Sequence, residues 1–330
     1  MRYLLSAVAF LAFGFSIDVE NLWALFALLP LVGNVNIPTH YVMQFSTNVS
    51  FLLQQEGSKL RGTVTEGSYV GKQASPVDQI GLIEAQRVTS RFGPMGRVDA
   101  PLDRRWVVPV DFDLPQLIDH FDKLRLLTNP ESNLVKNATM AMGRQIDRLI
   151  IDAFTATAKT GEQGATSTSF ASANEVDVAT GGANSKLNVA KLKAVKLLML
   201  QNFVDFDREQ VHLGLTGADE ANLWDEIQVI SSDFNGGEKP VLQDGKVRRF
   251  MGIDFVYCEL IEAEAAGTNE VDVPVWCKSG MHLGVWNDMQ TSISKRHDLQ
   301  GEPYQAYLLM SFGATRLEED KVYNIESYRA

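Results

Sequence analysis

The residues that most often carry out chemistry are few and scattered in this sequence. Its histidines are His40, His120, His212, His282 and His297. Two of them have an adjacent carboxylate, Asp119 and Asp298, but adjacent residues of a helix or strand do not face each other. The sequence also lacks the GxSxG, GxGxxG and HExxH motifs and the GxxxxGKS/T phosphate loop. It therefore predicts no catalytic residue and no enzyme.

The cysteines and the clustered acidic residues are not spaced as metal ligands. Cys258 and Cys277 lie in apolar, strand-like sequence without CxxC or Cys/His spacing. We expect two buried free thiols, with a disulfide between them as the alternative. The run Glu318-Glu319-Asp320 lacks the spacing of a calcium loop and is typical of a solvated turn. No metal and no cofactor is predicted.

The composition is that of a folded protein with an acidic surface. The 330 residues are 45% hydrophobic and 22% charged, enough for a large core in one or two domains. The net charge of −11 argues against a protein that grips nucleic acid through clustered lysines and arginines. An acidic protein could still enclose DNA without binding it, because long-range repulsion keeps the polymer mobile.

The first 42 residues differ in character from the rest of the chain. Arg2 precedes an apolar run over residues 3–17, which is the layout of a secretory signal peptide. That run is too short for a transmembrane helix, and the next apolar run contains Pro30 and Gly33. The other interpretation is a mis-assigned start, with Met43 as the internal start and residues 1–42 outside the working protein.

A segment rich in Gly, Pro, Thr and Val occupies residues 59–121. Strand-like runs at 62–70, 85–92 and 104–112, separated by turn residues, predict a long extended hairpin. An isolated ribbon of this length would be marginally stable in water. We therefore expect it to pack on another surface, and a neighbouring subunit is the first candidate.

The clearest predicted helix follows, with Asn129 as its cap, Pro130 at the first helical position and Glu131 in the first turn. Asp147, Arg148 and Asp152 lie off its apolar stripe, so we expect them on a solvated face. The stripe itself has spacings of three and four residues and consists of Val135, Ala138, Met142, Ile146, Leu149 and Ala153.

The rest of the chain alternates short elements. Residues 155–184, rich in Ala, Thr, Ser and Gly, predict a mobile surface loop or linker. This order of a long helix, a mixed block and returning strands predicts an α+β fold with discontinuous domains. The other predicted elements are helices at 185–203 and 219–227 and strands at 210–216, 249–260, 273–277, 284–294, 304–312 and 322–325.

Three parts of the sequence resemble one known family. The first part is LLQQEGSKLRGTVTEGSYVGKQASPVDQIG at 52–81 with RFGPMGRVDAPLDRRWVVP at 91–109, and the second is the helix at 130–154. The third is the tail with FMGIDFVYCEL, VPVWCKSGMHLGVWNDMQTSI and YLLMSFGATRLEEDKVYNIE. In order and spacing they are similar to the major capsid proteins of tailed phages, which have the Hong Kong ninety-seven (HK) fold of encapsulin shells and herpesvirus capsid floors. The resemblance covers residues 43–330.

The resemblance implies a division of the chain and a structural function. The subunit would self-assemble into hexamers and pentamers of an icosahedral head enclosing double-stranded DNA without sequence-specific binding, in the host cytoplasm and then in the virion. Its partners would be itself, a portal and a head maturation protease, with either a separate scaffolding protein or none. The implied parts are an N-terminal arm (43–58), an extended loop (59–121), a peripheral domain (122–203) with a spine helix (130–154) and linker (155–184), an axial domain (204–303) and a return strand (304–330).

Charged residues of the extended loop are the candidate contacts between subunits. We expect charge reversal at Arg104 and Arg105 to impair assembly more than folding. Two alternatives remain: a secreted hydrolase or binding module directed by the apolar N-terminus, and an encapsulin-type shell protein. The candidate interface residues are Arg91, Arg97, Asp99, Asp103, Arg104 and Arg105.

Overall fold

The computed structural model describes residues 54–118, apart from 89, 92, 94 and 95, and residues 130–226, 242–243, 246–261 and 269–329. Side chains are described for these residues except 130–134, 242–243 and 246–247. All of them lie within one unit, Val49–Ala330. The predictions for the leader, for Met43, for His40 and His120 and for the Asn129 cap fall outside the described residues.

The described residues form three α-helices and sixteen β-strands. The helices are α1 (Pro130–Thr155), α2 (Val189–Gln201) and α3 (Gly217–Trp224). The strands are β1 (Thr65–Ser68), β2 (Ala74–Ile80), β3 (Leu102–Val107), β4 (Val110–Ile118), β5 (Ala158–Thr160), β6 (Thr166–Thr168), β7 (Glu175–Val176), β8 (Val211–Leu215), β9 (Leu242–Gln243), β10 (Lys246–Val247), β11 (Arg249–Phe250), β12 (Ile253–Tyr257), β13 (Glu270–Cys277), β14 (Met281–Lys295), β15 (Tyr304–Arg316) and β16 (Val322–Tyr328).

The long helix α1 packs on a four-stranded sheet with the order β1-β14-β15-β4. Alternate residues of β15 point to opposite faces of this sheet, and its inward residues Leu308, Met310 and Phe312 share a core with α1. At 26 residues α1 is about 39 Å long. The sequence prediction of this helix is confirmed, and the described members Ala138, Met142, Ile146 and Ala153 of its apolar stripe are buried.

A six-stranded mixed sheet has the order β11-β12-β8-β13-β16-β7 and forms the second core. Its strand β8 is buried along its whole length, as expected for a strand covered on both faces. Leu192, Val195 and Met199 of α2 belong to this core. The last strand, β16, pairs with β13, whereas β15 pairs in the four-stranded sheet, so the C-terminal segment contributes to both sheets.

The third sheet, β2-β3-β5-β6, contains the base of a projecting segment that we call the arm, residues 74–107. A strand was predicted at 85–92, but the described residues between 81 and 100 form no strand. The single strand predicted at 104–112 is two strands in different sheets, β3 and β4. The break falls at Val108 and Pro109, because proline has no N–H for strand pairing. The chain passes close to Gly313 here, where a Cβ would lie 2.4 Å from the Val108 carbonyl oxygen.

The segment at 155–184 is not the mobile linker that its composition predicts. It forms β5 and β6, which extend the arm sheet, and β7, which pairs with β16. Ala158, Thr160 and Val176 are buried. The physical reason is that threonine suits a pleated strand as well as a polar loop. The helix predicted from residue 185 begins at Val189, because the Asn188 side chain accepts a hydrogen bond from the Lys191 amide at 2.9 Å.

Candidate assembly surfaces

The tip of the arm, residues 80–102, exposes a row of aliphatic side chains to solvent. Leu82 is 92% exposed, Val88 86% and Ile80 73%. Ile83, Val98 and Leu102 are exposed in the same segment. Soluble monomers rarely present so many neighbouring apolar side chains to water, and such surfaces mark contacts with another molecule. The arm is therefore the first candidate assembly surface.

The arm tip also carries arginines that have no carboxylate partner. The guanidinium groups of Arg87 and Arg91 form no ion pair or hydrogen bond with any residue that the structure describes. Arg97, by contrast, pairs with Asp99 at 2.6 Å, and both side chains are largely exposed. Glu84 of the same segment is exposed and also has no cation partner among the described residues. The arm thus combines exposed apolar side chains with two unpaired arginines and one unpaired glutamate.

The base of the arm is held within the subunit by polar contacts. Trp106 donates its indole N–H to the Gly161 carbonyl oxygen at 2.7 Å, and Asp103 accepts the Gly161 amide at 3.1 Å. On the exposed side of β3, Arg104 pairs with Asp78 of β2. This pair keeps the Asp78 pKa below its usual value. The direction in which the arm leaves the subunit is therefore fixed at its base.

A buried ion cluster, which consists of Arg105, Glu319 and Arg316, connects this base to α1. Glu319 contacts Arg105 at 3.3 Å and Arg316 at 3.0 Å. Arg316 is fully buried, and its guanidinium donates to the Phe154 carbonyl at the C-terminal end of α1 at 2.8 Å. A cation is favourable at this end of a helix dipole. Burial nevertheless lowers the Arg316 pKa, and the positive charge of Arg105 adds to this effect.

A second polar cluster joins α1 to the segment that precedes β1. Asp147 is fully buried and accepts hydrogen bonds from the amides of Lys59 and Leu60, both at 3.0 Å, and from the side chains of Gln55 and Ser58. The expectation that Asp147 lies on a solvated face is therefore wrong. The carboxylate lies off the apolar stripe, but residues 55–60 fold over it, and their donors offset its burial.

His282 lies between the hydroxyl group of Thr65 in β1 and that of Tyr69, the residue that follows β1. Its Nδ1 is 3.0 Å from the Thr65 hydroxyl, and its Nε2 is 2.9 Å from the Tyr69 hydroxyl. Thr65 donates its proton to the Met281 carbonyl at 2.7 Å, so Nδ1–H must be the donor toward Thr65. Burial favours the neutral imidazole and lowers the His282 pKa, although Glu66 opposes the shift. In this neutral form Nε2 accepts a hydrogen bond from the Tyr69 hydroxyl.

The other residues singled out for chemistry are structural. His212 is buried beside Trp276, and burial lowers its pKa. Both cysteines are free and buried, as predicted, and burial raises the pKa of Cys277 to about 12. Glu318 pairs with Lys321 at 3.1 Å, so the acidic run takes part in ion pairs. The described residues contain no group of side chains that could hold a metal ion, and none of their helices could cross a membrane.

The predicted interface residues lie in three different environments. Arg91, Arg97 and Asp99 are exposed on the arm. Arg105 is instead enclosed, with only 5% of its surface exposed, so reversal of its charge would act on the fold of the subunit itself. Asp103 and Arg104 already have partners at the arm base.

Sequence reasoning missed a second exposed apolar surface, on α2 and the turn after it. Leu197 is 56% exposed, Leu200 53% and Phe203 88%. Their spacing of three residues was a signal in the sequence, but the opposite side of α2 is also apolar. A helix that is apolar on both sides shows no single stripe, so its outward face could not be identified from the sequence alone.

A comparison of the sequence with protein families identifies the function to which these surfaces contribute. The model of the family described as phage capsid protein matches residues 37–328. This chain belongs to the phage capsid protein family. It is a structural major capsid protein, and copies of it associate into the icosahedral shell of a phage head. No curated protein sequence is significantly similar to it.

Solved capsid structures have the same fold as this capsid protein. It is similar to the capsid of cyanophage P-SCSP1u at 14% identity, with a TM-score of 0.67 over 88% of this chain and 93% of that chain. It is also similar to the capsid of Ralstonia phage GP4 at 9% identity and a TM-score of 0.64, covering 90% and 98% of the two chains. A solved chain of Mycobacterium phage Ogopogo is similar at 13% identity and a TM-score of 0.61, over 86% of this chain and 96% of that chain. The HK-type α+β capsid fold implied by the sequence is confirmed.

Proposed function

We propose that this capsid protein forms hexamers and pentamers in which the arm of each subunit lies on a neighbouring subunit. The observation that supports this proposal is the row of exposed aliphatic side chains on the arm, with Leu82 at 92% and Val88 at 86% exposure. An arm on one side and its receiving surface on another make a heterologous contact. Such contacts close into rings when the rotation between subunits closes.

The same proposal assigns roles to the other parts of the subunit. The helix α1 stiffens a peripheral domain, and the six-stranded sheet forms an axial domain around the axis of each ring. Four strands of that sheet lie within residues 204–303, and β7 and β16 join it from other parts of the chain. The exposed face of Leu197, Leu200 and Phe203 is available for contacts there. A net charge of −11 supports a wall that encloses double-stranded DNA without binding it tightly.

The remaining functional proposals rest on the family. Assembly takes place in the host cytoplasm, and this chain alone is sufficient to form shells. A portal, a maturation protease and, where one is present, a scaffolding protein are its partners in the complete head. The protein itself has no catalytic role. This agrees with the structural use of Glu319, His282 and Asp147, whose polar atoms are engaged in contacts within the subunit.

The proposal is tested by making the arm tip polar. The triple substitution Leu82→Asn, Ile83→Asn and Val88→Asn removes apolar surface that is already exposed, so the subunit should keep its unfolding midpoint. We expect electron microscopy to show few or no assembled particles of the triple variant. Leu299→Asn, at a position 38% exposed outside the arm, is the control and should leave particles intact. Normal yield of shells from the triple variant would contradict the role of the arm.

A further inference from the structure

Among the described residues, one face of the four-stranded sheet is exposed along its edge strand β4. On β4 the residues Phe112 and Leu114 point toward the core beneath α1. The alternate residues Asp111, Asp113, Pro115 and Leu117 point the other way and are exposed. We call this side the outer face. It continues onto β15, where Tyr307 lies opposite Pro115 and Leu309 lies opposite Asp113.

The outer face is acidic as well as apolar. Asp111 accepts a hydrogen bond from the Ser311 hydroxyl at 2.6 Å, and this neutral partner leaves its charge uncompensated. Among the described residues no cation pairs with Asp111 or with Asp113. Leu117 is 55% exposed on the same strand face. Two free carboxylates therefore lie beside aliphatic and aromatic surface.

The arm tip has the complementary composition. Arg87 and Arg91 have no carboxylate partner in the described part of the subunit, and the exposed side chains of Leu82, Ile83 and Val88 lie in the same segment. Positive charges with aliphatic side chains on one surface thus match negative charges with apolar side chains on the other. Complementary charge of this kind fixes the register and specificity of protein contacts.

Three other acidic residues are less suitable than Asp111 and Asp113 because each already has a cation partner. Asp205 pairs with Arg208 at 3.4 Å, and Asp288 pairs with Arg61 at 3.3 Å. Glu318 pairs with Lys321 at 3.1 Å. An arginine from a second copy would have to displace an existing cation at these three residues. At Asp111 or Asp113 it would form an additional ion pair. This difference favours the outer face as the receiving surface.

We propose that the outer face of one subunit receives the arm of a second copy, with Arg87 and Arg91 paired to Asp111 and Asp113. Leu82, Ile83 and Val88 then cover apolar surface that includes Leu117 and Leu309. The inference rests on the proposed function, because it names the receiving surface of the arm. Both sets of charges are unpaired within the described part of one subunit, and a contact between different copies would satisfy both sets.

Charge exchange in the full-length protein tests this contact. The arm variant is Arg87→Asp with Arg91→Asp, and the face variant is Asp111→Arg with Asp113→Arg. Each alone should lower shell yield by about tenfold or more, since like charges then meet. The fourfold variant should restore the yield to within about twofold of wild type, since the pairs are re-formed with opposite polarity.

Controls separate this pairing from a general effect of charge. The arm variant combined with Asp205→Arg and Asp207→Arg has the same net charge as the fourfold variant and should stay defective. Co-expression of the arm variant with the face variant should restore rings of six, because the two kinds of subunit can alternate there and every arm then meets a face of opposite charge. A ring of five cannot alternate in this way, so closed shells are not expected from this mixture. If wild-type protein forms shells and the fourfold variant does not, the pairing is overturned while the proposed function stands. If wild-type protein forms no shells, the proposed function fails.

A second measurement does not depend on altered charges. Val88→Cys and Leu117→Cys in one chain should give disulfide-linked ladders when assembled shells are oxidised, and either single variant should give none. Cys258 and Cys277 are buried and should not contribute. Normal shells without a ladder would overturn the placement of the arm on the outer face.

Discussion

Glu318 and Glu319 are consecutive in the sequence but lie in different environments. The Glu318 side chain is 49% exposed and faces Lys321, whereas the Glu319 side chain is 17% exposed and is shared by two buried arginines. An exposed pair contributes little, and the loss of one partner from a buried set leaves an uncompensated charge. The stability of the subunit should therefore depend on one glutamate far more than on its neighbour.

Substitution of these residues tests the buried ion cluster. Glu319→Gln leaves Arg105 and Arg316 facing each other without a carboxylate, and we expect the free energy of unfolding to fall by about 3–5 kcal/mol. Glu318→Gln is the matched control and should cost about 0–1 kcal/mol. Urea unfolding of the unassembled subunit measures both. Equal effects of the two variants would show that the cluster does not stabilise the arm base.

His282 gives the subunit a pH dependence at mildly acidic pH. Its pKa in the folded subunit is below the ordinary value of 6.5, so below about pH 6.5 the unfolded chain binds the proton more readily. Stability should fall with pH there, by up to about 1.4 kcal/mol per pH unit from this group. His282→Gln should make the profile of unfolding free energy between pH 7 and 5 less steep, and the slope that remains comes from His212, whose pKa burial also lowers. The control His297→Gln, at an exposed position, should not make it less steep. An unchanged slope in His282→Gln would be inconsistent with this assignment.

Residue types alone could not show which charged groups are buried. Asp147 lies off the apolar stripe of its helix, so the helical period places it on the solvent side. What buries it is a segment nearly ninety residues earlier in the chain, whose amides reach the carboxylate. Arg105 is similar, because its partner Glu319 is contributed by a distant turn. Contacts between segments that are distant in the sequence therefore bury both Asp147 and Arg105.

At the scale of elements, α1 acts as a platform for the chain that precedes β1. Gly143 permits close approach, because a Cβ there would lie 2.6 Å from the backbone of Gly57. One turn further along α1, Asp147 accepts hydrogen bonds from the amides of Lys59 and Leu60. Arg144 adds a hydrogen bond to the Gln54 side chain at 2.8 Å. Steric fit and hydrogen bonds together fix residues 54–60 on the helix.

Removal of the Asp147 charge tests this attachment. Asp147→Asn replaces an acceptor oxygen with a donor that faces donors, so we expect a loss of about 1–3 kcal/mol in unfolding free energy. Residues 54–60 should also become accessible to proteases in the folded subunit. Asp152→Asn, at an exposed position of the same helix, is the control and should change neither property. Full protease resistance of Asp147→Asn would refute the role of the carboxylate.

Elements with strong local signals could be predicted from the sequence, and elements defined by pairing could not. Pro130 and the apolar stripe predicted α1, and alternating apolar residues predicted β14 to β16. The short strands β5, β6 and β7 have two or three residues and depend on partners already in place. The strand predicted at 85–92 has the right composition but no neighbouring strand among the described residues. Strand propensity therefore forms a strand only where a sheet edge is available.

At the scale of the whole molecule, the two cores account for the stability of one subunit, and the exposed surfaces account for its association. The arm tip, the outer face and the apolar face of α2 are not covered within the described part of the subunit. The order of elements was enough to indicate the capsid family, because the fold depends on topology rather than on any single motif. The receiving surface of the arm required the side-chain contacts, since only these show which charges remain unpaired.

The most direct test of the central claim is the mass and shape of particles formed by the full-length protein. We predict that sedimentation velocity and electron microscopy of the protein purified after expression will show closed shells of megadalton mass. A reconstruction should contain rings of five and six subunits with the arm of each on its neighbour. A protein that sediments at the 36.6 kDa of one chain at every concentration, and forms no rings or shells, would contradict the account.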